Sequence, residues 1–210
     1  MLVVLSQRTH DNTRYVETWD CLDQQWARLI GRIGGMAVPL PNLTTDSRAL
    51  LDRLQPDAVL LTGGADPLPA GPEASARNDI EEAMLSHAAA RGVPVLAVCR
   101  GMQAVNVRLG GRVERVAGHV ARNHSVVAPD DTAFVVNSFH DFGIAGSDLA
   151  AALEPLLVAD DGTVEAARHR ELPWTSLMWH PERPGPDPAM QERIVSAALR
   201  GAPILPAVTG

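Results

Sequence analysis

Short apolar runs alternate with longer amphipathic segments through the first half of this 210-residue chain. The short runs have the length of buried strands, and apolar residues recur at helical spacing within residues 22–33. Strands that alternate with helices build a parallel sheet, because each helix carries the chain back to the end where the next strand begins. The pattern therefore predicts an α/β fold. Its first five elements are Leu2–Leu5, residues 22–33, Met36–Pro39, Ser47–Leu54 and Ala58–Leu61.

The alternation ends in the middle of the chain, and strand-like runs then follow one another. Residues 78–91 and 102–109 have helical spacing on either side of the apolar run Val95–Val98. After them, turn residues separate apolar runs without full helices, which is typical of antiparallel or mixed sheets. These runs are 126–127, 134–136, 156–158, 164–167 and 176–179. We predict a mostly parallel central sheet with helices on both faces and a mixed or antiparallel section in the second half, followed by a helix over residues 190–199 and a tail over residues 201–210.

Composition and charge narrow the class of protein. Hydrophobic residues make up 46% and charged residues 20%, and no linker divides the sequence, so we predict one domain over residues 1–210. The net charge of -7 argues against a surface that binds nucleic acid. No apolar run has the length of a signal sequence core or a membrane span. With two cysteines and no disulfide pattern, we expect a reduced, cytoplasmic protein that binds neither nucleic acid nor a membrane.

Cys99 stands where an apolar run stops and a helical pattern begins. A thiol on a sharp turn between a strand and a helix lies near free backbone N–H groups and the positive end of the helix dipole. Both features favour a reactive thiolate. An isolated cysteine is more often a buried core residue. The abrupt break and the following Gly101 favour the reactive interpretation here.

A base and its partner follow far downstream, in the segment His180, Pro181 and Glu182. A cysteine nucleophile needs a base for its proton, and the base needs a carboxylate that fixes its tautomer. Pro181 favours extended backbone, on which side chains two residues apart point the same way. A surface cap is the alternative role for His180. Together with Cys99, the segment predicts a catalytic triad of Cys99, His180 and Glu182.

Gly63 and Gly64 end another buried run and could supply the donors that acyl transfer needs for its oxyanion. Glycine lets backbone N–H groups approach a substrate closely, although a plain turn would also explain the pair. Their predicted place, at the carboxyl end of a parallel strand, is where open α/β sheets bind ligands. We expect an oxyanion hole formed by the backbone N–H groups of Gly64 and Arg100.

Three motifs together resemble the class I glutamine amidotransferase superfamily, in the branch of stand-alone γ-glutamyl hydrolases. They are Val-Cys-Arg-Gly-Met-Gln at 98–103, Thr-Gly-Gly-Ala-Asp at 62–66 and Trp-His-Pro-Glu at 179–182, and shorter matches lie at 78–81 and 136–140. The resemblance implies a flavodoxin-like three-layer fold, a γ-glutamyl thioester on the cysteine that water releases, and no cofactor. It also implies substrate contacts from Gly63, Gln103, Asn137, Ser138 and His140.

The resemblance covers enzymes that hydrolyse a γ-glutamyl amide and subunits that deliver ammonia to a synthetase. Cys-Arg-Gly resembles the hydrolases, because biosynthetic glutaminases usually carry another residue after the cysteine, so we prefer the hydrolase. Ala97 stands where the family usually has a glycine. It leaves open a catalytically silent binding module, but alanine fits if φ at this position is negative. The expected partner is a small γ-glutamyl substrate, and the oligomeric state stays open, a homodimer included.

The leaving amine is open as well. The polar segment 9–20 predicts a loop that sets specificity, and the residues that follow, 20–26, resemble those of γ-glutamyl-CDP-amidate hydrolases. A γ-glutamyl polyamine and a peptide are the competing leaving groups. Arg8, Arg14 and Arg77 would suit a diphosphate, or they are ordinary solvated arginines. His119, His124 and His140 match no structural zinc spacing, so no metal site is expected.

Overall fold

The computed structural model describes residues 1–64 and 72–205, and thirteen strands and five helices lie in these ranges. The strands are β1 (Leu2–Leu5), β2 (Arg8–Asn12), β3 (Glu17–Cys21), β4 (Met36–Pro39), β5 (Ala58–Leu61), β6 (Val95–Val98), β7 (Glu114–Arg115), β8 (Arg122–Val127), β9 (Ala133–Ser138), β10 (Phe142–Gly143), β11 (Leu153–Ala159), β12 (Val164–His169) and β13 (Trp174–Leu177). The helices are α1 (Gln24–Arg32), α2 (Ser47–Leu54), α3 (Pro72–Arg91), α4 (Arg100–Arg108) and α5 (Pro188–Ala198). Within these ranges no helix combines the length and apolarity needed to span a bilayer.

Nine strands form one sheet in the order β4-β1-β5-β6-β13-β12-β11-β8-β9. The first five are parallel to one another, and from β13 onward each neighbour is antiparallel. The predicted fold class is confirmed. β4 lies on one side of β1 and β5 lies on the other, so the order in which strands are added changes direction at β1. An open α/β sheet has its crevice at such a point, which here lies at the carboxyl ends of β1 and β5.

Helices cover both faces of the sheet. Buried residues of α1 and α5 pack with the β-strand side chains of one face, and those of α2, α3 and α4 pack with the other. On the first face Trp26 and Ile194 belong to the same cluster as Leu60, and on the second Leu51 and Met84 belong with Val59. The strands β1, β5 and β6 are continuous apolar runs because both of their faces are buried.

Two local expectations need correction. The segment 9–20 is not a loop, because it forms most of a hairpin of the two strands β2 and β3. These strands are polar and largely exposed, so they lack the alternation of apolar and polar residues that predicts a strand. The helix after Cys99 begins at Arg100 rather than at residue 102. Two predicted segments are described only in part. Residues 65–67 of the glycine loop at 62–67 and residues 206–210 of the tail at 201–210 lie outside the described ranges.

Candidate active site

Cys99 lies at the turn between β6 and α4 with φ 52° and ψ -108°. Positive φ is uncommon for a residue with a side chain and marks a strained position. A Cβ at Gly101 would lie 2.5 Å from the backbone oxygen of Leu61, so only glycine lets α4 start this close to β5. Ala97 lies inside β6, fully buried and without a positive φ, so the departure from the family pattern falls on ordinary strand backbone.

His180 follows β13, the strand next to β6, and its Nδ1 lies 2.7 Å from Oε1 of Glu182. The expected extended backbone is wrong. Arg183 N–H donates to the His180 carbonyl at 3.2 Å, so a turn brings the two side chains together. Burial lowers the pKa of His180, but hydrogen bonding with Cys99 and Glu182 outweighs it and raises that pKa to about 9. His180 therefore carries a proton at neutral pH.

Gly63 lies against both the histidine and the cysteine. A Cβ there would lie 2.5 Å from Cε1 of His180 and 3.3 Å from Cβ of Cys99. The next residue, Gly64, has φ +83°, which favours glycine. The backbone after β5 therefore lies beside the side chains of Cys99 and His180, where an oxyanion donor would be needed if Cys99 is the nucleophile.

Arg77 on α3 holds this glycine loop in place. Its guanidinium donates to the carbonyl oxygens of Thr62 at 2.6 Å and Gly64 at 2.7 Å, and its Nε donates to Glu81 at 2.8 Å. Arg77 is 2% exposed. The expectation that it serves a diphosphate is wrong, because its donors are turned onto the protein's own backbone.

Glu81 accepts hydrogen bonds from both Arg77 and Arg100, the residue after Cys99. Its second oxygen accepts from Nη1 of Arg100, whose Nη2 donates to Asn78. The Arg100 side chain is thus buried, and only its backbone N–H is available to an oxyanion. Sequence reasoning missed this network, although Glu81 and Asn78 belong to one of the shorter resemblance matches.

Comparison with known proteins agrees with this geometry. Residues 2–182 match the model of the Peptidase C26 family. The chain belongs to this family. Among its relatives, the γ-glutamyl-CDP-amidate hydrolase of Campylobacter jejuni is 28% identical over 87% of this chain and 90% of its own. Anthranilate synthase component 2 of Azospirillum brasilense is 29% identical over 78% of this chain and 85% of its own.

The fold of this Peptidase C26 chain also recurs among solved structures. A protein from Thermoplasma acidophilum, described as a candidate component of GMP synthase, matches with a TM-score of 0.63. The match covers 87% of this chain and 85% of the other at 18% identity. At that identity the likeness concerns the fold.

Asn137 on β9 positions His180 of this Peptidase C26 protein rather than facing its cavity. Its Nδ2 donates to the His180 carbonyl at 2.8 Å, and its Oδ1 accepts from the His180 N–H at 2.9 Å. The Phe139 ring lies edge-on to the imidazole, with centroids 6.0 Å apart. Asn137, in the antiparallel half of the sheet, thereby fixes His180, which follows the parallel strand β13.

The other predicted glutamyl contacts also have protein partners. Gln103 donates to the Phe142 carbonyl at 2.9 Å, Ser138 donates to the His119 carbonyl at 2.6 Å, and His140 Nδ1 lies 2.9 Å from the Phe142 carbonyl. All three side chains are buried. Their contact with a glutamyl group stays a prediction.

A cavity of about 120 Å³ opens beside His180, between the β2–β3 hairpin and the glycine loop. Arg8 lies across Gly64, where a Cβ on the glycine would be 3.1 Å from the arginine Cδ, and Arg183 stacks on Phe139 at 4.7 Å. Arg14 is exposed on the hairpin and stacks on Tyr15. The cavity is lined by Arg8, Cys21, Leu22, Asp23, Trp26, Thr62, Gly63, Gly64, His180, Glu182 and Arg183.

Proposed function

We propose that this protein is a cysteine-dependent hydrolase of γ-glutamyl amides. The observation that carries the proposal is the buried His180, hydrogen-bonded to Glu182 at 2.7 Å, with the Gly63 backbone against both its ring and the Cys99 side chain. This is the arrangement of nucleophile, base and orienting carboxylate that acyl transfer requires.

The chemistry follows from the roles of these groups. The Cys99 thiolate attacks the γ-carbonyl carbon and forms a C–S bond, and the oxyanion accepts hydrogen bonds from the N–H groups of Gly64 and Arg100. Protonated His180 gives its proton to the leaving nitrogen as the C–N bond breaks. The neutral imidazole then takes a proton from water, whose oxygen attacks the thioester. Collapse of this second intermediate releases glutamate and returns Cys99 as a thiolate.

The cavity supports an anionic leaving group. Arg8 and Arg183 both line it, and arginine suits phosphate oxygens through paired N–H donors. Its carboxylates are Asp23 and Glu182, and Glu182 is already bonded to His180. A polyamine would call for more acidic groups. We therefore favour a γ-glutamyl amide of a nucleoside diphosphate, such as a γ-glutamyl-CDP-amidate, and the Campylobacter jejuni relative supports this choice.

The experiment is a substrate panel read out as released glutamate. Purified protein is incubated with a γ-glutamyl-CDP-amidate, a γ-glutamyl polyamine, a γ-glutamyl peptide and glutamine, with Cys99→Ala as the control. We expect the diphosphate substrate to have the highest kcat/KM and Cys99→Ala to release none. Equal release by both proteins from every compound would disprove the cysteine mechanism, and no release from any compound would favour the silent binding module.

A glutaminase subunit is the second candidate, and specific relatives favour it. Besides anthranilate synthase component 2, the carbamoyl phosphate synthase small chain of Sulfurisphaera tokodaii is 32% identical over 45% of this chain and 27% of its own. A glutaminase of this kind needs a synthetase partner for full activity. Hydrolysis of glutamine alone, well above that of the other amides, would favour this candidate.

A further inference from the structure

A second group of ionisable side chains is buried in the antiparallel half of the sheet, away from the cavity. Glu165 on β12 is fully buried, and imidazole nitrogens surround its carboxylate. Nδ1 of His119 lies 3.4 Å from Oε1, Nε2 of His140 lies 3.3 Å from Oε1, and Nε2 of His124 lies 3.4 Å from Oε2. We call His119, His124, His140 and Glu165 the histidine cluster.

The facing atoms of the histidine cluster lack hydrogen-bond partners. All three facing nitrogens and both carboxylate oxygens are buried and make no hydrogen bond with the residues that the structure describes. The nitrogens lie 3.3 to 3.4 Å from the carboxylate oxygens, so they would pair with Glu165 only if the rings were protonated. Buried charges are normally paired or bound to a metal, so these five converging atoms need a cation or additional protons between them.

The outer nitrogens show which atom each ring turns inward. Nδ1 of His140 faces the Phe142 carbonyl, which can only accept, so this nitrogen carries a hydrogen and the neutral ring presents a lone pair at Nε2. Nε2 of His119 lies 2.9 Å from Asp161, so its Nδ1 is the inward atom. A histidine that ligates a metal usually donates its other N–H to a carboxylate or a backbone carbonyl.

The spacing of the inward atoms fits a small tetrahedral ion. Ligand atoms about 2.0 to 2.2 Å from zinc lie roughly 3.3 to 3.5 Å from each other in a tetrahedron. The three nitrogen-to-oxygen distances, 3.3 to 3.4 Å, have this length. The inward atoms of His119, His124 and Glu165 all lie within 4.8 Å of one another, and the ring of His140 has its centroid 4.7 Å from that of His119.

We propose that the histidine cluster binds one divalent transition metal ion of the zinc class. Imidazole nitrogen with carboxylate oxygen suits zinc and its neighbours rather than magnesium or calcium. His119, His124 and Glu165 form the core of the site, and His140, whose Nε2 lies 3.3 Å from Glu165, is the nearest fourth ligand. With His140 bound, the coordination shell would be closed, which is typical of a structural metal and leaves no position for a substrate. A surface cavity lined by His119, His124 and Asp161 gives the ion a path inward.

The bound ion would stabilise the segment that positions His180. Ser138 O–H and His140 N–H both donate to the His119 carbonyl, so the metal ligands and the end of β9 form one unit. Asn137, next in the chain, holds His180. Loss of the ion should therefore loosen the support of His180, while metal binding itself is independent of the proposed hydrolysis.

Metal uptake by the full chain tests the proposal. The Cys99→Ala protein is used throughout, because a thiolate beside an imidazole would itself attract zinc. After chelation and removal of the chelator, we expect uptake of about one Zn²⁺ per chain by calorimetry and elemental analysis, and the visible absorption of tetrahedral Co²⁺ when cobalt is added. Zinc should also raise the Tm by mass action.

Two variants and a matched control complete the test. Glu165→Gln and the milder His124→Asn should each weaken zinc affinity at least about tenfold, whereas the exposed His10→Asn should bind as the parent does. Circular dichroism checks that each variant is folded. Failure of the folded Cys99→Ala parent to take up zinc would overturn the proposal in favour of protons alone. Equal affinity in the parent and in His124→Asn would overturn it as well, since the ion would then bind outside the histidine cluster.

Discussion

The two halves of the sheet supply functional side chains in different ways. In the parallel half, Gly63, Cys99 and His180 each follow the carboxyl end of a strand, and β5, β6 and β13 are neighbours. In the antiparallel half, Glu165 and His124 lie within strands, with β11 between theirs. His119 and His140 join them from loops beside β8 and β9. Strand ends form an open edge, whereas strand interiors and adjoining loops form a buried cluster. The same fold thus carries the proposed hydrolase site and the proposed metal site in different halves.

The largest expected effect tests how firmly the parallel half is anchored. Arg77→Ala removes the guanidinium that holds the glycine loop and leaves Glu81 buried with one partner fewer. Breaking a buried ion pair costs about 3 to 5 kcal/mol of the free energy of unfolding. Urea unfolding measures this change, and turnover should fall with it.

The matched control lies on the same helix. Arg91 pairs with Asp52 at 2.8 Å, and both side chains are more than two-fifths exposed, at 49% and 41%. Arg91→Ala should cost about 1 kcal/mol or less. Similar losses for the two variants would show that the loop is not anchored through Arg77.

Gly63→Ala tests the close approach that defines the open edge. The new methyl group would lie 2.5 Å from the His180 ring, so the loop or the ring must move, and we expect kcat to fall about 10² to 10³-fold. Gly31→Ala on α1 is the control, since no described atom lies within 4 Å of a Cβ there. Steady-state kinetics measure kcat for both variants. An unchanged kcat in Gly63→Ala would contradict the close approach of this loop to His180.

The pH dependence of stability tests whether Cys99 and His180 form an ion pair. The pKa of His180 rises from 6.5 in the unfolded chain to about 9 in the fold. Its contribution is therefore complete below pH 6.5 and is lost as the pH rises to about 9, with an upper limit of about 3 kcal/mol. Urea unfolding of Cys99→Ala, which lacks the thiol, should show a loss of stability above pH 6.5, because Glu182 still raises that pKa. In the wild-type protein a proton that passes from Cys99 to His180 leaves the number of bound protons unchanged, so a flat curve just above pH 6.5 would support the ion pair. A wild-type curve that falls as that of Cys99→Ala does would contradict the pair.

The smallest effect concerns specificity at the open edge. Arg8→Ala should raise KM for a γ-glutamyl nucleoside diphosphate amide about tenfold, since one charged hydrogen bond contributes about 1.5 kcal/mol or more. Arg14→Ala on the same hairpin, exposed and stacked on Tyr15, is the control and should change KM little. Equal effects would move the recognition site from the cavity to the hairpin tip.

The parallel half was largely predictable from the sequence. The bounds of β1, β5 and β6 agree with the apolar runs, because strands buried on both faces consist almost wholly of apolar residues. The predicted bounds of β4 and α2 agree with the structure as well. Cys99, Gly63 and His180 could be found because each stands directly after such a run. The hairpin β2–β3 could not, since polar strands that lie mostly in solvent leave no periodic signal.

The sequence by itself determined the order and type of the main elements and the residues that flank the carboxyl ends of the strands. Only the tertiary structure decided that Arg77 donates its hydrogen bonds to the glycine loop rather than to a ligand. It also decided that Asn137 bonds to the backbone of His180 and that three histidines surround Glu165. Apolar periodicity depends only on residues that are close together in the chain, so the sequence shows it directly. The partners of a buried charge are set by strand order and register, which bring together residues far apart in the chain.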